Sequence, residues 1–204
     1  MSGSPADEAR TAASGSDQTR ERILRATASL LAERGYGQTR LGDIAERAAL
    51  RSPAIYYYFS SRDDLVAETL RAGQQRVREH VEAAVTAAGD DWLDCLDAAV
   101  EAHLRIELEL ADFAAAVTRN TGHVPASIRE RVAPESQAYH DLWRALLLRG
   151  QAAGALRGDL DLRTARLLVV GALNWAVEWW RPERPLEKLI ATAQAVIRNG
   201  LRGR

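Results

Sequence analysis

Residues 41–62, LGDIAERAALRSPAIYYYFSSR, constrain this chain more than any other stretch. Leu41, Ile44, Ala45 and Ala48 follow the i, i+3, i+4, i+7 spacing of one buried helical face. Ala49-Leu50-Arg51 reads as a tight turn. Ser52-Pro53 reads as the start of a second helix, Ser at the cap and Pro at the first helical position. Ile55 and Phe59, four apart, can point inward together. An element this short cannot also bury Tyr57 and Tyr58. The pattern is a helix-turn-helix whose second helix is a candidate to enter a DNA major groove.

The bulk numbers set limits. A length of 204 residues suits one large or two small domains. Hydrophobic residues make up 47% and charged residues 27%, as in ordinary globular proteins. Net charge is −1, from 27 basic and 28 acidic side chains, so nucleic-acid binding would need a local basic face. Lys188 is the single lysine, and the remaining basic residues are arginines. One cysteine, Cys95, rules out an intrachain disulfide and points to a reducing cytoplasm. The N-terminal residues have no apolar core of a signal peptide. The apolar run from Leu167 to Val177 contains Asn174 and is shorter than the ~20 residues of a membrane span.

Every periodic segment is helical. Residues 1–16 are rich in Gly, Ser, Ala and Asp and are expected to form a disordered arm. A first helix is expected from about Gln18 to Arg34, ended by Gly35. Thr39 is a plausible cap for the next helix. Ser61 and Asp64 form a capping box that opens a long helix to about Ala87. Leu93, Leu96, Val100 and Leu104 form another stripe. Pro125 and Pro134 are expected to punctuate the chain before an amphipathic helix carrying Tyr139, Leu142, Trp143, Leu146 and Leu147. Asp161 caps a helix from Leu162 to about Arg181 that is apolar nearly all round, so it should be buried on more than one side. A striped helix from Leu186 to Leu201 ends the chain. No strand pattern, repeat or Gly-rich phosphate loop is present.

Gly35-Tyr36, Thr39, Asp43-Ile44-Ala45, Ile55-Tyr56, Phe59, Ser61 and Leu65 sit at the spacings of one known module. Over roughly Gln18 to Leu70 the chain resembles the DNA-binding domain of TetR-type transcriptional regulators. The resemblance implies an all-α fold. A three-helix DNA-binding domain over 17–77 would be followed by a helical-bundle ligand and dimerisation domain over 78–204. It implies that Arg40, Tyr56, Tyr58 and Arg62 grip phosphates and that Thr39 lies in the same DNA-binding set. Ser52, Pro53, Ala54 and Tyr57 fall where base edges are read. Pro53 and Ala54 can meet only thymine methyls or groove shape, whereas Arg51 can fork onto guanine. Two departures stand out. Ala49 replaces the usual turn glycine, and Arg51 replaces a usual capping serine, which suggests that Ser52 takes over the cap.

A second resemblance covers Gly154 to Pro185, through Gly154-Ala155-Leu156-Arg157, Asp159-Leu160-Asp161, Gly171-Ala172-Leu173-Asn174-Trp175 and Trp179-Trp180-Arg181-Pro182. It points to a TetR subgroup linked to lipid and sterol catabolism. That implies a small, largely apolar effector with a polar head, such as an acyl-CoA, and names His103, Trp143, Asn174 and Glu178 as candidate ligand contacts. The same family implies a homodimer on palindromic double-stranded operator DNA. No membrane role, cofactor, metal or catalytic residue is expected. His80, His103, His123 and His140 make no metal-ligand pair, and no Gly-x-Ser-x-Gly elbow occurs. A helical enzyme and a helical adaptor without DNA binding are the alternatives.

Overall fold

The computed structural model describes residues 5–109 and 111–203. It runs α1 (Pro5–Arg34), a 3-10 turn (Tyr36–Gln38), α2 (Leu41–Arg47), α3 (Ser52–Ile55), α4 (Arg62–Ala87), α5 (Trp92–Leu108), α6 (Ala111–Asn120), α7 (Ala126–Ala152), α8 (Leu162–Trp179) and α9 (Leu186–Leu201). No strand occurs among the described residues. None of these helices is long and apolar enough to cross a membrane.

Two elements differ from the sequence reading. α1 begins at Pro5, so positions 5–16 continue the helix where an arm was expected, and residues 1–4 lie outside the described region. Pro5 suits a first helical turn, and alanine, frequent after it, has the highest helix propensity. α7 runs through Pro134 without a break. Proline loses one backbone donor there, but Ile128 and Val132 before it and Tyr139 and Trp143 after it are buried, so packing holds both halves on one axis.

Caps explain most boundaries. Ser61 accepts from Asp64 N–H at 3.0 Å, and the Asp64 carboxylate accepts from Ser60 N–H at 2.9 Å. Asp91 and Asp161 cap α5 and α8 through Asp94 N–H at 3.1 Å and Thr164 N–H at 2.8 Å. Gly35 sits at φ 74°, a left-handed stop for α1. Thr39 does not cap α2. Its hydroxyl donates to Gly35 O at 2.8 Å, and Arg40 holds the N-cap position without a side-chain hydrogen bond.

The turn between α2 and α3 places Ala49 at φ 52°. Its Cβ is strained there by about 1 kcal/mol. Ala49 is exposed, so Ala49→Gly loses no packing. We expect that substitution to raise unfolding free energy by about 1 kcal/mol. A lower denaturant midpoint would refute it.

Three apolar clusters follow one another along the molecule. Ile23, Leu24, Leu30, Ile44, Ile55, Phe59 and Leu65 form the N-terminal core. Leu31, Val66, Leu70, Ala116, Val117, Ile128 and Val132 form a junction shared by α1, α4, α6 and α7. Val77, Val81, Trp92, Leu96, Val100, Leu104, Trp143, Leu146, Val170 and Leu173 lead the third. At the junction α6 crosses α4 over Gly73, where an added Cβ would lie 2.9 Å from Phe113 O and 2.8 Å from Val117 Cγ2. Any larger residue would push α6 off α4.

α8 buries Ala165, Val169, Val170, Leu173 and Ala176. Its opposite face leaves Leu168 69%, Trp175 64%, Leu167 49% and Trp179 44% exposed, and Val196 of α9 is 66% exposed. The helix that is apolar all round is thus half covered by its own chain.

Candidate nucleic-acid interface and ligand cavity

α2 and α3 are held from inside by Ile44, Ala45, Ala48, Ile55 and Phe59, all buried. That fixes what faces out. Tyr56 is 58% and Tyr57 83% exposed, so neither is a core residue, and Tyr58 is half-buried with its ring edge-on to Tyr57 at 5.1 Å. Arg40, Arg51 and Pro53 are exposed, and Ser52 and Ala54 are half-buried. These residues lie on α3, on the turns before and after it, and at the N-cap of α2.

The cap differs from the sequence reading. Arg51, at φ −88° and ψ 144°, is the N-cap residue, while Ser52 is already helical and Pro53 follows it. No side chain caps α3. Its first N–H groups therefore lack side-chain partners, and the Arg51 guanidinium is not needed by the fold. Neither Arg51 nor Arg40 has an ion pair among the described residues. By contrast Arg20, Arg25, Arg34 and Arg47 pair with Glu68, Glu21, Asp43 and Glu33.

Thr39 and Arg62 do other work. Thr39 is 1% exposed and its hydroxyl is satisfied internally. Arg62 donates to Thr39 O at 2.6 Å and to Tyr36 O, pairs with Asp63 at 3.2 Å, and stacks over the Tyr36 ring at 4.2 Å. It ties the start of α4 to the turn that precedes α2. Tyr36 OH also donates to Asp63 at 2.9 Å. Beside the phosphate contact that the sequence suggests, Arg62 thus serves as a strut between the start of α4 and the residues before Arg40.

A cavity of about 320 Å³ opens among α4, α5, α6, α7 and α8. Val77, Val117 and Val170 supply its apolar lining. Gln74, His103, Glu107, Thr118, Tyr139, His140 and Asn174 supply polar groups. His103 and Asn174 stand where the sequence analysis placed them. Trp143 is fully buried behind the wall, edge-on to His103 at 6.3 Å. Glu178 is exposed on α8 and lines nothing, because the four-residue step from Asn174 carries it past the cavity mouth. Glu107 and Tyr139 were missed. The signal was available: His103 and Glu107 are i, i+4 on α5, as are Ser136 and His140 on α7.

Burial dominates the electrostatics. It pushes the His103 imidazole down to about 4, so the ring is neutral, and its Nδ1 pairs with Tyr139 OH. His103 Nε2 has no partner. Burial pushes the Glu107 carboxyl up to about 7, opposed by the Thr118 hydroxyl, which donates to Oε2 at 3.0 Å. The Tyr139 phenol is raised by burial first and by the Glu107 charge second.

α6 links this cavity to the N-terminal unit. Val117 and Thr118 face the cavity, and Asn120 at the helix end reaches α1. The buried Asn120 amide donates to Leu31 O at 3.0 Å, and its oxygen accepts from Tyr36 N–H at 2.7 Å. Arg119 adds a bond to Ala32 O at 2.8 Å. Among the described residues no cluster of metal-ligating side chains occurs.

Residues 23–69 match the family described as bacterial regulatory proteins, tetR family. Residues 89–200 match the tetracyclin repressor-like C-terminal domain. The HTH-type transcriptional repressor KstR2 of Rhodococcus jostii is 29% identical over 188 residues, covering 89% of this chain and 87% of that one. The structure of the fatty acid degradation regulator FadR from Bacillus halodurans superposes with a TM-score of 0.79 at 23% identity, covering 91% of this chain and 97% of that one. FadR from Bacillus subtilis in complex with stearoyl-CoA gives 0.77 at 20% identity, over 88% and 98%. These relatives are named as regulators, not as enzymes.

Proposed function

The chain belongs to the TetR family of bacterial regulatory proteins, and from that premise we propose that it is a ligand-responsive repressor that releases operator DNA when a small molecule occupies the C-terminal cavity. The observation that carries the reading is the double face of α6. One helix lines the cavity with Val117 and Thr118 and holds the end of α1 through Asn120. A ligand that moves α6 moves the DNA-binding unit.

The outward stripe of Leu167, Leu168, Trp175 and Trp179 on α8, continued by Val196 on α9, supports a homodimer. A two-fold pair sets two α3 helices about one DNA turn, ~34 Å, apart on a palindromic operator. Stearoyl-CoA bound to the Bacillus subtilis relative supports an acyl-CoA effector. α4 runs from the cavity wall at Val77 to Arg62 beside α2, so it carries the same displacement.

On DNA, Arg40 takes the backbone and Arg51 a base edge, with Tyr56, Tyr57 and Tyr58 flanking them. Arg51→Ala should weaken operator binding at least about tenfold, since each dimer loses two contacts. Arg40→Ala should lower the slope of log affinity against log salt by about two. Fluorescence anisotropy across a salt series tests both. Absence of duplex binding by the unmodified chain at low salt would remove the regulator reading altogether. By linkage, effector and operator weaken each other by one factor, and equal effector affinity with and without operator would defeat the allosteric part.

A further inference from the structure

Sheltered carboxylates elsewhere in this protein have arginine partners. Glu21 pairs with Arg76, Glu68 with Arg20 and Arg71, Glu135 with Arg78, and Asp97 with Arg198. Glu107 does not. It is 4% exposed, and among the described residues its one bond is to the Thr118 hydroxyl and no arginine or lysine lines its cavity. The adjoining His103 is 1% exposed with Nε2 unpartnered, and its other nitrogen is taken by Tyr139. A buried acid without a cation is costly to keep, and proteins retain such groups where a ligand completes them.

We propose that this cavity binds a compact amine, with the Glu107 carboxylate taking the ammonium and the three valines flanking its apolar body. This rests on the reading of the C-terminal cavity as the effector site, and names an amine there in place of the acyl-CoA that the stearoyl-CoA-bound relative supports. An anionic head finds no arginine or lysine in the described lining; Arg166, whose charge reaches the lining His140, stands outside it. A neutral alcohol leaves Glu107 dependent on a proton of its own. An ammonium supplies the missing charge and N–H donors for both the carboxylate and the Asn174 amide oxygen. A volume of about 320 Å³ admits a one-ring molecule with a short arm. Glu107 is raised to about 7 in the empty cavity, so an arriving ammonium drives out whatever proton it holds.

Isothermal titration of the full chain at pH 7.5 with 2-phenylethylamine, 2-phenylethanol and 3-phenylpropanoate tests this. The amine should bind about tenfold or more tighter than the alcohol, and the acid should not bind. Repeating the amine titration at pH 6 in buffers of different ionisation enthalpy should show proton release. Glu107→Gln should erase the preference for the amine over the alcohol. Amine binding no tighter than that of the alcohol, or undiminished in Glu107→Gln, overturns the proposal. Should that variant not fold, absence of proton release in the unmodified protein overturns it equally. Operator release is read in parallel with stearoyl-CoA. Release by stearoyl-CoA without amine binding leaves the repressor reading standing and sinks the amine site. Tight amine binding without operator release keeps the amine site and sinks its role as effector site.

Discussion

Asn120→Ala should lower stability by about 2 kcal/mol and leave effector and operator binding uncoupled. The stability loss is set by one orphaned donor. Tyr36 N–H has Asn120 as its partner, whereas Leu31 O keeps its bond from Gly35 N–H at 3.0 Å. A buried unsatisfied donor costs about 1–3 kcal/mol. The functional loss is larger in consequence, because Asn120 joins the helix that lines the cavity to the helix that supports α2. Effector should still bind the variant, and operator should still bind it, with each affinity indifferent to the other. Titrating effector in the presence and absence of operator measures this directly. A variant that keeps the full mutual antagonism shows that coupling runs through α4 alone.

Glu107→Gln should make the free protein more stable, by about 3 kcal/mol at pH 8 and by nothing at pH 4. A carboxyl moved from 4.5 to about 7 on folding binds protons more tightly in the native state. Its contribution is present below the unfolded value and is lost as pH rises through about 7, and 2.5 pH units of that kind correspond to about 3 kcal/mol. Gln keeps an acceptor for Thr118 and never ionises. His103 works in the opposite direction. Its fall from 6.5 to about 4 makes stability drop as pH falls through that window. In the unmodified protein the two trends offset one another between about 4.5 and 6.5. In the variant the histidine trend stands alone, so stability should climb with pH over that range. Denaturation series at pH 4, 6 and 8 check it, and equal gains at all three would mean that Glu107 never titrates. A residue whose replacement stabilises the fold while removing ligand selectivity is kept for function.

The helix-turn-helix was legible in the sequence because its signals are local. Ile44, Ile55 and Phe59 are buried where periodicity put them, and Ser61 caps Asp64 N–H as expected, the return bond from the Asp64 carboxylate going to Ser60 N–H. Ala49 adopts the left-handed conformation that its place in the turn required. The cap at α3 was misassigned because Ser-Pro has the chemistry of a helix start, yet the first helical residue is the Ser itself. The bracing role of Arg62 was not legible, because sequence cannot show that Tyr36 and Thr39, more than twenty positions earlier, turn their carbonyls toward it. The cavity was half visible. His103 and Asn174 stood out as polar residues on apolar faces. Glu107 did not, since a glutamate beside Arg105 on a helix reads as solvated until the fold covers it. Glu178 failed for the complementary reason, as helical spacing alone does not say which side of α8 the chain covers.

The crossing at Gly73 bears on how quickly and how completely a signal passes. The nearest atoms there include the Phe113 main-chain oxygen, at a distance that admits no Cβ. The other close neighbour, Val117 Cγ2, belongs to a β-branched side chain with few rotamers to rearrange, so the joint has little backlash. Displacements of a fraction of an ångström at the cavity are handed to α4 undiminished, where a joint cushioned by leucines would absorb them. On the proposed reading, such a joint gives a sharp response and forfeits tolerance. Mutational drift at position 73 should silence induction well before it abolishes folding.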